Sequence, residues 1–103
     1  MMNIEHSHKQ ALPQKVIEAK ISDFFNRYYK TITIKKLPAQ WRMVVSFVLW
    51  YHFGYTAAEI AKYLGDHKAT VYRDLQRGQF YIARSMTSNR QAKRLVEYIY
   101  KFL

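Results

Sequence analysis

The sequence predicts an all-α fold: a compact bundle of about five helices containing a helix-turn-helix. Three observations predict it. Apolar residues recur at three- and four-residue spacing through most of the chain, the period of a helix with one buried face. Only three Gly and two Pro punctuate 103 residues, too few for a turn-rich β protein. Half of the residues are hydrophobic and 17% are aromatic, so one small domain of this length can build a real core.

Residues 1–12 read as a flexible, polar leader. Within it His6 and His8 could touch a metal, but no third or fourth ligand is near in sequence. Pro13 suits the first turn of helix one. Ile17, Ile21, Phe24 and Tyr28 then form an apolar stripe, which Val16 and Phe25 widen. Lys15, Glu18, Asp23 and Arg27 hold the other face. Tyr29 to Pro38 is a basic connector with a Thr-Ile alternation too short for a sheet. Lys35 and Lys36 close it, and Pro38 disfavours helix at Leu37.

Helix two begins near Pro38 and Ala39 and ends at Gly54. It is apolar nearly all round, as a central helix should be. Trp and Tyr within it are expected in the core, with a base-stacking platform as the alternative. Thr56 and Glu59 then form a capping box. Ala58, Ile60, Ala61 and Leu64 supply a short apolar face, and Gly65 stands where a helix end wants positive φ. Asp66 is placed to cap the helix that follows.

That fourth helix carries Val71, Leu75, Gly78 and Ile82 on one face. Arg73, Arg77 and Arg84 lie opposite, with Ala69, Thr70 and Phe80 around them. Tyr72 is expected to pack partly against helix three. Gly78 marks a close helix crossing or a break in the helix. Ser85 to Asn89 reads as a polar turn, with Ser88 and Gln91 as a second capping box. Helix five turns Ala92, Leu95, Ile99 and Phe102 inward, and Arg90, Lys93, Arg94 and Lys101 elsewhere.

The chain carries 17 Lys and Arg against seven Asp and Glu, a net charge of +10. Such a field attracts polyanions. A short helix, a glycine turn and a longer helix with a basic outer face suit docking in a DNA major groove. Residues 13–103 are therefore read as one helical DNA-binding domain. Its candidate contacts are His67, Lys68, Ala69, Thr70, Arg73 and Arg77 at the start of helix four, with Arg84 further along. Lys35 and Lys36 are candidates for phosphate contact from the connector, and Arg90 and Arg94 from helix five.

Chemistry of other kinds is not visible. The seven carboxylates are scattered, no Gly-rich phosphate loop occurs and no Ser or Thr has the context of a nucleophile elbow. The reading is a non-enzyme without a cofactor or a metal site. The absence of Cys fits a cytoplasmic location. Trp41 to Phe53 is short of the ~20 residues needed to cross a bilayer, so no membrane partner is expected. A homodimer or a protein partner is compatible with exposed aromatics on helix one or two. The alternative function is a non-enzymatic adaptor that uses the basic helix-four face on an acidic protein, or an RNA-binding module.

Several stretches resemble the C-terminal DNA-binding domain of the bacterial replication initiator DnaA, whose fold is akin to Trp repressor. The resemblance runs from about Val16 to Leu103. Leu37 to Val45 is similar to that family's Pro-Arg-Gln helix start, and Thr56 to Gly65 to its first motif helix. Ala69-Thr70-Val71 matches the Thr-Thr-Val that opens its recognition helix. Asp66-His67-Lys68 stands where the family signature has Arg-Asp-His, so the base-reading set differs. More distantly, Glu59-Ile60-Ala61 and Leu64-Gly65 with Thr70-Val71 resemble sigma factor region four. The resemblance implies double-stranded, sequence-specific DNA binding in regulation of transcription or replication.

Overall fold

The computed structural model describes residues 12–30, 33–84 and 86–101, apart from the side chains of residues 86 and 87. Five helices account for most of it: α1 (Gln14–Tyr28), α2 (Ala39–Phe53), α3 (Ala57–Leu64), α4 (Lys68–Arg84) and α5 (Met86–Lys101). A short 3-10 turn, Ile34–Lys36, lies in the connector before α2. The all-α expectation holds, with the helices in the predicted order. The histidines of the leader and the inward-facing Phe102 lie outside the described residues.

Helix α2 is the centre of the molecule. It packs most heavily against α4 and also touches α3 and α5, while α1 rests on α5. Trp41, Met43, Val44, Val45, Ser46, Val48 and Leu49 are buried along it, which is why its sequence is apolar on more than one side. Gly54 ends it with φ 71°, a conformation open to a residue without Cβ. The all-core expectation fails at its C-terminal end. Trp50 is 38% exposed and Tyr51 is 44% exposed, on the side of the last turn of α2 that the described helices leave open.

Helix α1 closes the bundle through aromatic packing. Phe24 and Phe25 are buried and meet Trp41 edge-on, with centroids 5.7 and 4.9 Å away. Tyr98 of α5 packs against Phe24 as well, and its hydroxyl donates to the Asp23 carboxylate. Edge-to-face pairs of this kind add about 0.5–1.5 kcal/mol each beyond their buried area. Tyr28 ends the stripe half exposed. Leu12, assigned to the leader on sequence grounds, packs against the core.

The turn expected at Ser85 to Asn89 is not where the sequence placed it. Helix α5 already runs from Met86, so Ser88 lies inside the helix and does not cap it; Ser85 itself is outside the described residues. Ser88 is buried and accepts a hydrogen bond from Gln40 at 3.4 Å. A tertiary partner has taken the hydroxyl that a capping box would use. Asn89 Nδ2 donates to the Ile82 carbonyl at 3.2 Å, which satisfies an orphan acceptor near the end of α4.

Gly78 marks a crossing. α4 is unbroken through it, and a Cβ built there would stand 3.1 Å from Phe47 Cβ. The absence of a side chain lets α4 lie close on α2, and that contact offsets the ~1 kcal/mol that glycine costs in mid-helix.

Candidate nucleic-acid interface

Helices α3 and α4 and the turn between them form the helix-turn-helix. α3 starts on a complete capping box: Thr56 Oγ1 accepts from the Glu59 amide at 3.1 Å, and the Glu59 carboxylate accepts from the Thr56 amide at 2.8 Å. Ile60, Ala61 and Leu64 are buried. Ala58, expected beside them, faces outward, because only one side of this two-turn helix meets the bundle. Gly65 ends it at φ 72°.

The Glu59 carboxyl is held below its usual range, first by the Thr56 amide and then by the Gln14 side chain. A group whose pKa is depressed on folding stabilises fully above its unfolded value of ~4.3, and that contribution drains as pH falls through the lower folded value. Glu59→Gln is therefore expected to be less stable than the parent at neutral pH and nearly equal to it in acid. Thermal unfolding of both proteins across that range reads the convergence.

Two tyrosines pin α3 to α1. The Tyr55 hydroxyl donates to Glu18 Oε2 at 2.9 Å, and burial, aided by that carboxylate, raises its pKa well above the ordinary tyrosine value. The Tyr63 hydroxyl donates to the Glu18 carbonyl at 3.2 Å, and burial pushes its pKa up to about 12. The motif is thus fastened on its inner side and free on its outer one.

Helix α4 begins at Lys68, so Asp66 sits one residue too early to be its cap. Its Oδ2 is buried and makes no hydrogen bond among the described residues. The carboxylate instead adds to the field around Arg42. Val71, Asp74, Leu75, Gly78 and Ile82 face inward along α4. His67, Lys68, Ala69, Arg73, Arg77 and Arg84 are exposed, and Thr70 is partly exposed. At 3.6 residues per turn, Thr70, Arg73, Arg77, Tyr81 and Arg84 fall on one flank. A groove of about 300 Å³ borders that flank, lined by Ala39, Gln40, Met43, Asp74, Arg77, Tyr81 and Ser88. Tyr72 is 59% exposed. More than half of it is open, so packing against α3 can cover only the remainder.

The remaining candidates divide. Lys35 lays its stem over Gly65, 3.3 Å from where a Cβ would stand. Its ammonium donates to the carbonyls of Lys62 and Tyr63 at 3.4 and 3.5 Å. It thus meets the negative end of α3 beside the turn that leads into α4. Lys36 is exposed next to it. Arg90 and Arg94 are exposed on α5. Arg94 lies over the Phe24 and Tyr28 rings, 5.9 and 5.6 Å from their centroids, which turns it towards α1.

The sequence reading missed the fastening behind α4. Arg42 Nε donates to Asp74 Oδ2 at 2.7 Å, and the side chains are 27% and 3% exposed. The Asp74 hydrogen bond raises the Arg42 pKa despite partial burial. The pair ties α2 to the middle of α4. Its signal was there to find: an acid on the apolar stripe of one helix and a lone base in the apolar run of another.

Residues 48–95 match the family model Terminase_5, described as "Putative ATPase subunit of terminase (gpP-like)". The match covers a little under half of the chain. It begins in α2, takes in the whole helix-turn-helix and ends in α5. Comparison with curated proteins and with solved structures gives no match. The Terminase_5 segment holds Gly54, Gly65 and Gly78 singly, without the spacing of a phosphate-binding loop. Among the described residues, no three His, Asp or Glu gather in a metal-binding group, and no helix is long and apolar enough to cross a membrane.

Proposed function

We propose that this protein binds double-stranded DNA by laying the first turns of α4 in the major groove. One observation carries the reading. The helix after Gly65 is continuous, and the residues that a docked helix would present, His67, Lys68, Ala69, Thr70, Arg73 and Arg77, are on its open side. Arg73 is placed to grip a guanine edge through two parallel hydrogen bonds. Thr70 can meet a base or a thymine methyl. Lys68, at the helix N-terminus, suits a phosphate, as do Lys36 and Arg77 on either side.

The same arrangement supports sequence-specific binding of the DnaA or Trp-repressor-like type, with a role in transcription or replication. The Terminase_5 similarity supports a second setting, as part of a terminase assembly, since the segment that resembles that family includes the whole helix-turn-helix. In either setting we assign this chain to binding rather than to catalysis, because its sequence carries no phosphate loop and no paired catalytic carboxylates.

A gel shift with random duplex at low salt tests the core claim. Binding is expected below ~100 μM, and its log–log salt slope should be about −0.9 per phosphate contact. A missing shift, with capture of an acidic protein in its place, would favour the adaptor. Displacement of duplex by structured RNA would redirect the assignment to RNA.

A further inference from the structure

The geometry points to a second nucleic-acid site on α4, a stacking platform for unpaired bases just beyond the duplex. It rests on the reading of α4 as the helix that enters the groove. α4 has 17 residues, and at 1.5 Å per residue it is about 25 Å long. The major groove is about 12 Å wide. That width takes the diameter of the helix, and it is the N-terminal residues that reach the base edges, so the last six residues, beyond Gly78, lie farthest from the groove floor.

The surface changes character there. The N-terminal end shows small and polar side chains, Ala69 and Thr70, between its basic residues, and a single exposed ring, Tyr72 at 59%. The end beyond Gly78 shows two adjacent aromatic rings: Phe80 is 53% and Tyr81 47% exposed. The rings stand edge-to-face with centroids 5.3 Å apart. The Arg84 guanidinium lies 4.7 Å from the Phe80 centroid, and Arg77 and Tyr81 line the same groove. Arg84 covers one face of Phe80, and the solvent-exposed remainder of the two rings stands beside two cations at one end of one helix. That is the composition of surfaces that hold single strands, where each stacked base contributes about 1–3 kcal/mol.

A fully paired duplex cannot use these rings, since its base faces are covered by their neighbours. A strand that leaves the duplex can. The ligand we assign to this site is therefore a duplex with an unpaired extension, a single-strand to double-strand junction. The bases of the extension would lie on Phe80 and Tyr81, and their phosphates beside Arg77 and Arg84.

The test compares a blunt duplex, the same duplex with a ten-thymine overhang at either end, and the thymine strand alone. Fluorescence anisotropy reads binding to the full chain and to its Phe80→Ala/Tyr81→Ala variant. Both rings are exposed, so the fold should persist, which circular dichroism checks. One overhang polarity is expected to bind about tenfold more tightly than the blunt duplex. The double variant should lose that gain and keep blunt-duplex affinity.

Equal affinity for blunt and overhanging duplex overturns the junction site while leaving duplex binding intact. Failure to bind the blunt duplex overturns the groove-docking reading separately. If the variant keeps the overhang preference, or instead turns an oligomer into a monomer in sedimentation, the rings serve another purpose and the platform is refuted.

Discussion

Arg42→Met is expected to lower the free energy of unfolding by about 3 kcal/mol, the largest loss we expect from changing a single charged residue in this protein. The reason is an asymmetry of burial. Asp74 is almost fully enclosed, while Arg42 keeps a quarter of its side chain in solvent. Removing the arginine leaves a carboxylate that is 3% exposed without its salt-bridge partner between α2 and α4, and such groups are costly to strand. The reverse change, Asp74→Ala, leaves a guanidinium that can turn to water, so its cost should be nearer ~1 kcal/mol. Replacing both with apolar residues of similar size should recover much of the loss. Urea unfolding of the three variants tests the order. Equal losses from the two single variants would mean that the pair is solvated in solution and that α4 is held by packing alone.

Arg73→Ala is expected to cost about 1–3 kcal/mol on a preferred duplex and to blunt sequence preference. Arg73 is exposed on the flank that carries Thr70 and Arg77, one turn beyond the start of α4. At that position a side chain reaches base edges when the helix N-terminus enters the groove. Binding of parent and variant to a selected site and to random duplex reads the effect directly. A loss on the selected site alone marks Arg73 as a base reader. The same loss on every sequence marks it as a backbone contact, and the salt slope should then fall by about one. Arg94→Ala is the contrasting variant. Its guanidinium covers rings of α1, so its removal should change duplex binding less than removal of Arg73.

The terminase similarity and the DnaA-like reading differ in the setting they imply, yet they converge on one segment. The Terminase_5 match takes in the whole helix-turn-helix, including the exposed start of α4, and both variants above act on that helix. Arg42 and Asp74 hold it from behind; Arg73 projects from its front. A double variant should therefore show additive effects on binding if the pair fixes only stability.

The sequence by itself determined the order of the helices and part of their punctuation. Thr56 with Glu59, the helix end at Gly54, the positive φ of Gly65, and the spacing of Val71, Leu75, Gly78 and Ile82 are local signals. They act through backbone geometry and helical period, so they could be read without the fold. The basic outer face of α4 was legible for the same reason, since inward residues on one side leave the others outward. The tertiary structure decided what depends on partners far along the chain. It recruited Ser88 to Gln40 rather than to a cap and paired Asp74 with Arg42. It also laid Lys35 over Gly65 and left Trp50, Tyr51, Tyr72 and Tyr81 open. A side chain's burial or pairing depends on which helix lies opposite, and no pattern within one helix carries that information.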